Sequence, residues 1–78
     1  MDVNETGRVI HALDAIRRAD GDLTKAAALT STSAGRLQEV LDPSAGRFWN
    51  FTPDGRIRLT PMGDGFADRV ATFPRVNW

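Results

Sequence analysis

The chain has no cysteine, a single histidine and no net charge, with ten acidic and ten basic side chains in 78 residues. Without cysteine there are no disulfides and no sulfur-ligated zinc. His11 has no acidic cluster beside it, so a metal staple is not expected. No apolar run approaches the roughly 18 residues of a membrane span, and the N-terminus is acidic and polar rather than a basic leader. These absences lead us to expect a cytoplasmic protein with no cofactor, no metal and no membrane partner. Catalytic machinery is also missing: there is no Cys–His or Ser–His arrangement, no phosphate-cradling glycine motif and only scattered carboxylates. An enzyme is not expected.

What is present fits one small folded domain spanning residues 1–78. A chain of this length buries roughly 60% of its extended surface, so the core is thin and each large apolar side chain matters. Val9, Ala12, Leu13, Ile16 and Ala19 recur at spacings of three and four, which predicts an amphipathic helix from Glu5 to about Ala19. Asn4 or Thr6 is its expected cap, residues 1–4 are a frayed end and Gly21 is the stop. Arg17, Arg18 and Asp14 fall on its solvated face. A second helix is expected to start at Thr24, whose hydroxyl is its expected cap, with Ala26, Ala27 and Leu29 packing against its neighbour. Thr30-Ser-Thr-Ser33 breaks the pattern and offers caps for a third helix, Ala34 to Leu41, which Asp42-Pro43 ends because a residue before proline is pushed out of the helical region.

Arg47 to Phe51 alternates as a strand, with Phe48 and Asn50 on one side and Trp49 and Phe51 on the other. Thr52-Pro-Asp-Gly55 is a turn signal, and the return strand Arg56 to Thr60 puts Ile57 and Leu59 inward and Arg56 and Arg58 outward. Gly63-Asp-Gly65 then leads into a last helix carrying Phe66, Val70 and Phe73, with Pro74 ending it. Residues 74–78 form a tail in which Trp78 either packs back on the core or meets a partner. Two short helices followed by a hairpin make the predicted fold α+β, a winged helix-turn-helix of three helices, a two-stranded β-hairpin wing and a C-terminal helix.

At Thr24-Lys-Ala-Ala27 and at Arg58-Leu-Thr-Pro-Met-Gly63 the chain resembles the N-terminal DNA-binding domain of LysR-type and ModE-like bacterial transcription regulators. The match in order and spacing covers most of residues 6 to 70. From Ala26-Ala27 to Asp42 the chain is about three residues shorter than that family's usual spacing, and the family's linker helix and ligand-binding domain have no counterpart. The resemblance implies a small stand-alone regulator that binds double-stranded DNA, with the third helix in the major groove and the wing on the backbone or in the minor groove. Ser31, Thr32, Ser33, Arg36 and Gln38 are the residues expected at base edges, because guanidinium and amide groups match paired positions on guanine and adenine. Lys25, Arg56 and Arg58 are expected at phosphates. Phe66, Val70, Phe73 and Trp78 are the expected contacts of a homodimer or protein partner. The alternative is a winged-helix module for protein–protein contacts with little DNA binding, which the neutral charge and the shortened turn suit.

Overall fold

The computed structural model describes residues 2–78. Among them, helices α1 (Val3–Arg18), α2 (Leu23–Thr30) and α3 (Ala34–Leu41) precede strands β1 (Trp49–Phe51) and β2 (Ile57–Leu59), and α4 (Pro61–Ala67) follows. Short 3₁₀ turns continue α3 over Asp42–Ser44 and α4 over Asp68–Thr72. The architecture is α+β, with four α-helices and one two-stranded antiparallel sheet.

α1 is the element on which the others pack. Its buried stripe is the predicted one, and Ile10 and Ala15 join it. Leu13 and Ile16 have no exposed surface, and full burial of such side chains stabilises a fold by about 1.5–3 kcal/mol each. The helix starts earlier than expected. Asp2, not Asn4 or Thr6, caps it by accepting from Glu5 N at 2.8 Å, because a carboxylate one residue before the helix suits both the free amides and the positive end of the dipole.

α2 also starts one residue early. Asp22 accepts from Lys25 N at 3.1 Å and displaces Thr24 as the cap. Ala26 and Ala27 are buried as expected, whereas Leu29 is 48% exposed. With eight residues, α2 has room for one narrow buried stripe, which the two alanines occupy.

Asp42 departs from the expectation for a residue before proline, since it stays helical at φ −49°, ψ −47°. Pro43 is the second residue of the 3₁₀ turn that begins at Asp42, rather than forcing an extended exit, which its locked φ permits.

The strands pair Trp49 with Leu59, Asn50 with Arg58 and Phe51 with Ile57. The Thr52–Gly55 turn closes as read from sequence: Gly55 takes φ +85°, and Thr52 N donates to Arg56 O at 2.8 Å. On its free edge β2 is met by Gly21, whose carbonyl accepts from Ile57 N at 3.0 Å. A side chain on Gly21 would come 2.6 Å from Ile57 O, and its φ is +85°. This position therefore requires glycine for close approach as well as for ending α1.

The aromatic alternation resolves in an unexpected way. Phe48 and Trp49 are both buried, while Phe51 is 60% exposed and stands edge-on to Trp49 at 5.0 Å. Phe48 lies just before β1, and Phe66 stacks on it at 4.7 Å. A hairpin face that strand alternation alone would leave open is thus covered by α4.

α4 differs most from the sequence reading. Thr60 caps it by accepting from Gly63 N at 3.1 Å, so Pro61 sits at the start of the helix and Gly63 to Gly65 lie inside it. Proline suits a first turn because its missing amide would have had no partner there. Phe66 is on α4, Val70 is on the 3₁₀ turn that follows, and Phe73 lies beyond both.

Residues 74–78 are no free tail. Phe73 and Val76 lie against Gly7, where a Cβ would meet Val76 Cγ1 at 3.0 Å. Trp78 is partly buried against the core. No helix among the described residues is long and apolar enough to cross a membrane.

Candidate nucleic-acid interface

Ser31, Thr32 and Ser33 primarily build the turn between α2 and α3. Ser31 is the left-handed residue that ends α2, at φ 57°, ψ 36°, and Thr32 N behind it donates to Ala27 O at 3.1 Å. This is the arrangement by which a helix end satisfies its last carbonyls, and glycine is its usual occupant. Ser33 caps α3 by accepting from Arg36 N at 3.0 Å. Changing Ser31 to glycine is expected to raise stability by about 0.5–1 kcal/mol, through relief of left-handed strain. Thermal unfolding of the variant checks this, and a loss of stability would show that the serine hydroxyl matters more than its backbone.

On α3 the residues that face outward are Gly35 and Glu39, with Gln38 half exposed and Asp42 at the end. Gln38 Nε2 donates to Asp42 Oδ1 at 2.6 Å. Arg36, expected on this outer face, instead turns toward the C-terminal segment. Its Nε donates to Trp78 O at 2.6 Å, and its Nη1 lies 3.7 Å from Glu39 Oε1. The formal charges left on the outward side of α3 are carboxylates, and these oppose a phosphate-lined groove.

The hairpin arginines line one groove, apart from Arg36. Arg56 Nη1 donates to Asp20 O at 3.0 Å and lies 3.5 Å from Asp20 Oδ2, while its Nε is 3.6 Å from Asp54 Oδ2. Asp54 accepts from the Thr52 hydroxyl, and that bond, with Arg56 beyond it, holds its carboxyl below the ordinary carboxylate range. A depressed carboxyl contributes stability above its unfolded-state pKa and loses it as pH falls through the folded value. The hairpin turn is therefore weakened only in acid. Arg58, opposite Asn50, is exposed and has no carboxylate within ion-pair distance among the described residues. Arg36 neighbours Arg8 on the groove beside α1, whereas Arg56 neighbours Asp20 just past that helix. At 1.5 Å per residue the two regions lie roughly 18 Å apart. Arg36, Arg56 and Arg58 thus do not form one cluster.

A different cationic grouping emerges from how the ion pairs are distributed. Arg17 gathers three carboxylates, Asp14 at 2.9 Å, Asp64 at 3.3 Å and Asp68 at 2.7 Å, and Arg18 shares Asp14 at 3.3 Å. The Asp68 and Asp14 bonds raise the Arg17 guanidinium above its ordinary pKa, so it stays charged throughout the working range. These contacts tie α4 and the 3₁₀ turn after it to α1, and take Asp64 and Asp68 toward α1. Arg47 and Arg69 are left with aromatic partners instead. Arg47 lies over Phe48 at 5.3 Å and Arg69 over Phe66 at 5.6 Å. Among the described residues Lys25, Arg47, Arg58, Arg69 and Arg75 are exposed cations outside any ion pair. Sequence reasoning missed Arg47 and Arg69. Two signals were available: Arg47 adjoins Phe48, and Arg69 lies three residues beyond Phe66, a neighbouring position on helical turns.

The expected partner-contact residues are engaged internally. Phe66 is half-buried under Phe48, and Trp78 packs on the core. Phe73 lies against Gly7, and its carbonyl pairs with His11 Nε2 as donor. Val70 is half exposed. No group of metal-binding side chains occurs among the described residues.

Comparison with protein-family models, curated proteins and solved structures gives no match to this chain.

Proposed function

We propose that this chain is a winged helix-turn-helix module of a small transcription regulator, which binds double-stranded DNA mainly through phosphate contacts from its wing. The observation that carries the reading is the uneven pairing of charge. A chain of zero net charge concentrates its carboxylates on Arg17, Arg18, Arg36 and Arg56, leaving Arg58 on the hairpin and Lys25 on α2 unpaired among the described residues. Binding depends on the field at one face rather than on the total. The order of elements also supports it: two short helices joined by a three-residue turn, followed by a hairpin. With carboxylates outward on α3, base readout falls to the Ser31–Ser33 turn and Gln38. Specificity then comes from two copies on an inverted repeat rather than from one tight contact.

Arg58 and Arg56 separate under this reading. Replacing Arg58 with alanine is expected to flatten the slope of log affinity against log salt by about 0.9, one phosphate's worth of released counterions. Replacing Arg56 is expected to do less, because its guanidinium must first leave Asp20 and Asp54. Anisotropy titrations between about 50 and about 200 mM salt measure both. Equal slopes for wild type and Arg58→Ala would reject the wing as a DNA contact.

A second reading, a protein-contact module, is favoured by Phe51 and Met62, which are 60% and 58% exposed. Exposed large apolar side chains suit a protein partner better than a phosphate backbone. Failure to bind any duplex at low salt in the same titration would select it.

A further inference from the structure

Charges of opposite sign leave α4 on different sides. Asp64, and Asp68 just beyond the helix, are held by Arg17 of α1. Met62, Phe66 and Arg69 follow one another at spacings of four and three, which sets them on one stripe. Gly65 neighbours both Met62 and Arg69 by the same spacings. Met62 is 58% exposed, and nothing lies within 4 Å of where a Cβ on Gly65 would stand.

The start of the hairpin extends this stripe. Phe48 stacks on Phe66, with Arg47 over the first ring and Arg69 over the second. Thr60, the cap of α4, holds the two segments together: its hydroxyl donates to Arg47 O at 2.8 Å and its amide to Phe48 O at 2.9 Å. Neither Arg47 nor Arg69 has a carboxylate within ion-pair distance among the described residues. The result is a ladder of two exposed, uncompensated guanidiniums on a pair of stacked rings, with an apolar side chain beside it.

We propose that this face binds an acidic segment of a protein partner, with carboxylates on Arg47 and Arg69 and an apolar side chain on Met62 and the open backbone at Gly65. A guanidinium resting on a ring keeps its N–H edge free, and that edge matches the two oxygens of a carboxylate. Steps of 5.3, 4.7 and 5.6 Å along the ladder mean that an extended chain, at about 3.3–3.6 Å per residue, links the two arginines within about five residues. Met62 favours a peptide over nucleic acid, since a phosphate backbone offers no apolar group to cover it. None of the residues assigned to DNA belongs to this face, and α4 packs mainly on α1 and β2. The inference therefore stands apart from the DNA reading.

The test is anisotropy of a fluorescein-labelled peptide of alternating aspartate and leucine, titrated with the full chain at low salt. Saturable binding is expected, with loss of binding when asparagine replaces aspartate. Arg47→Gln with Arg69→Gln should weaken it on the order of tenfold, as for two exposed charge pairs. Gly65→Glu sets a carboxylate four residues before Arg69, in open space and at better helix propensity than glycine, so the variant keeps its fold. It should weaken the peptide on the order of tenfold as well. No saturable binding, or equal affinity for wild type and Gly65→Glu, overturns the proposal. If the arginine variant proves unfolded by circular dichroism, amide chemical shifts of the wild type decide. Changes centred on Arg47, Met62 and Arg69 are expected, and changes centred on Lys25 or α3 overturn it. Arg58→Ala should leave peptide affinity unchanged, and an equal loss there would mean unspecific charge attraction. Duplex binding that falls in Gly65→Glu, with no peptide binding, assigns the face to nucleic acid and defeats the protein partner alone. Peptide binding by a chain that ignores every duplex defeats only the DNA reading.

Discussion

Replacing Trp49 with alanine will lower the unfolding free energy by about 3–5 kcal/mol, enough to leave much of the protein unfolded at physiological temperature. Trp49 is the largest side chain in the core and is 2% exposed. It stands where β1, the end of α3 and Phe51 meet: its Nε1 donates to Leu41 O at 2.8 Å, and Phe51 lies edge-on beside it. Domains of this size start from the lower part of the usual 5–15 kcal/mol, so one such cavity takes a large share. Trp49→Phe separates packing from hydrogen bonding. Leu41 O also accepts from Ser44 Oγ at 2.9 Å, so it keeps a partner when the indole is lost. The phenylalanine variant should therefore lose only about 1–2 kcal/mol. Urea denaturation followed by far-UV circular dichroism measures both. An alanine variant within about 0.5 kcal/mol of wild type would mean that Trp49 is a surface residue in solution.

The second large effect concerns the sign of a glycine-to-alanine change. Helix propensity alone says that alanine at Gly63, inside α4, should stabilise by about 0.8–1 kcal/mol. The packing says the reverse. An added Cβ would fall inside the van der Waals envelope of Phe48 O and 2.8 Å from Phe48 C. Phe48 O is not free to yield, because it accepts from Thr60 N at 2.9 Å. Gly63→Ala is therefore expected to destabilise by about 3 kcal/mol or more, through displacement of α4 from the hairpin. Gly65, two residues on in the same helix, has nothing within 4 Å of such a Cβ. Gly65→Ala should follow propensity and stabilise. Thermal melts of the pair provide the comparison, and two stabilised variants would show that α4 does not press on Phe48 in solution.

Local chemistry was legible from sequence wherever neighbours along the chain decide the outcome. The α1 stripe from Val9 to Ala19, the span of α3 from Ala34 to Leu41 and the Thr52–Gly55 turn all lie where periodicity and turn residues placed them. Caps were misread by two residues or more because Asp2 and Asp22 compete with nearby hydroxyl and amide side chains for the same free amides. The Gly63–Gly65 stretch reads as a turn, since glycine lowers helix propensity. It is helical because Thr60 and Pro61 set the first turn and only a hydrogen at Gly63 admits the Phe48 carbonyl.

The candidate site was legible only as a set of residue types. Spacing places Arg36 on a helix and Arg58 on a strand, but it carries no information about which carboxylate folds beside which arginine. Asp64 and Asp68 reach Arg17 across about 50 residues, and the main-chain oxygen of Trp78 reaches Arg36 across 42. Sequence by itself determined the kinds and order of elements, because local backbone preference and side-chain period act between near neighbours. Tertiary structure alone decided which cations stay unpaired, because an electrostatic partner is chosen by distance in space.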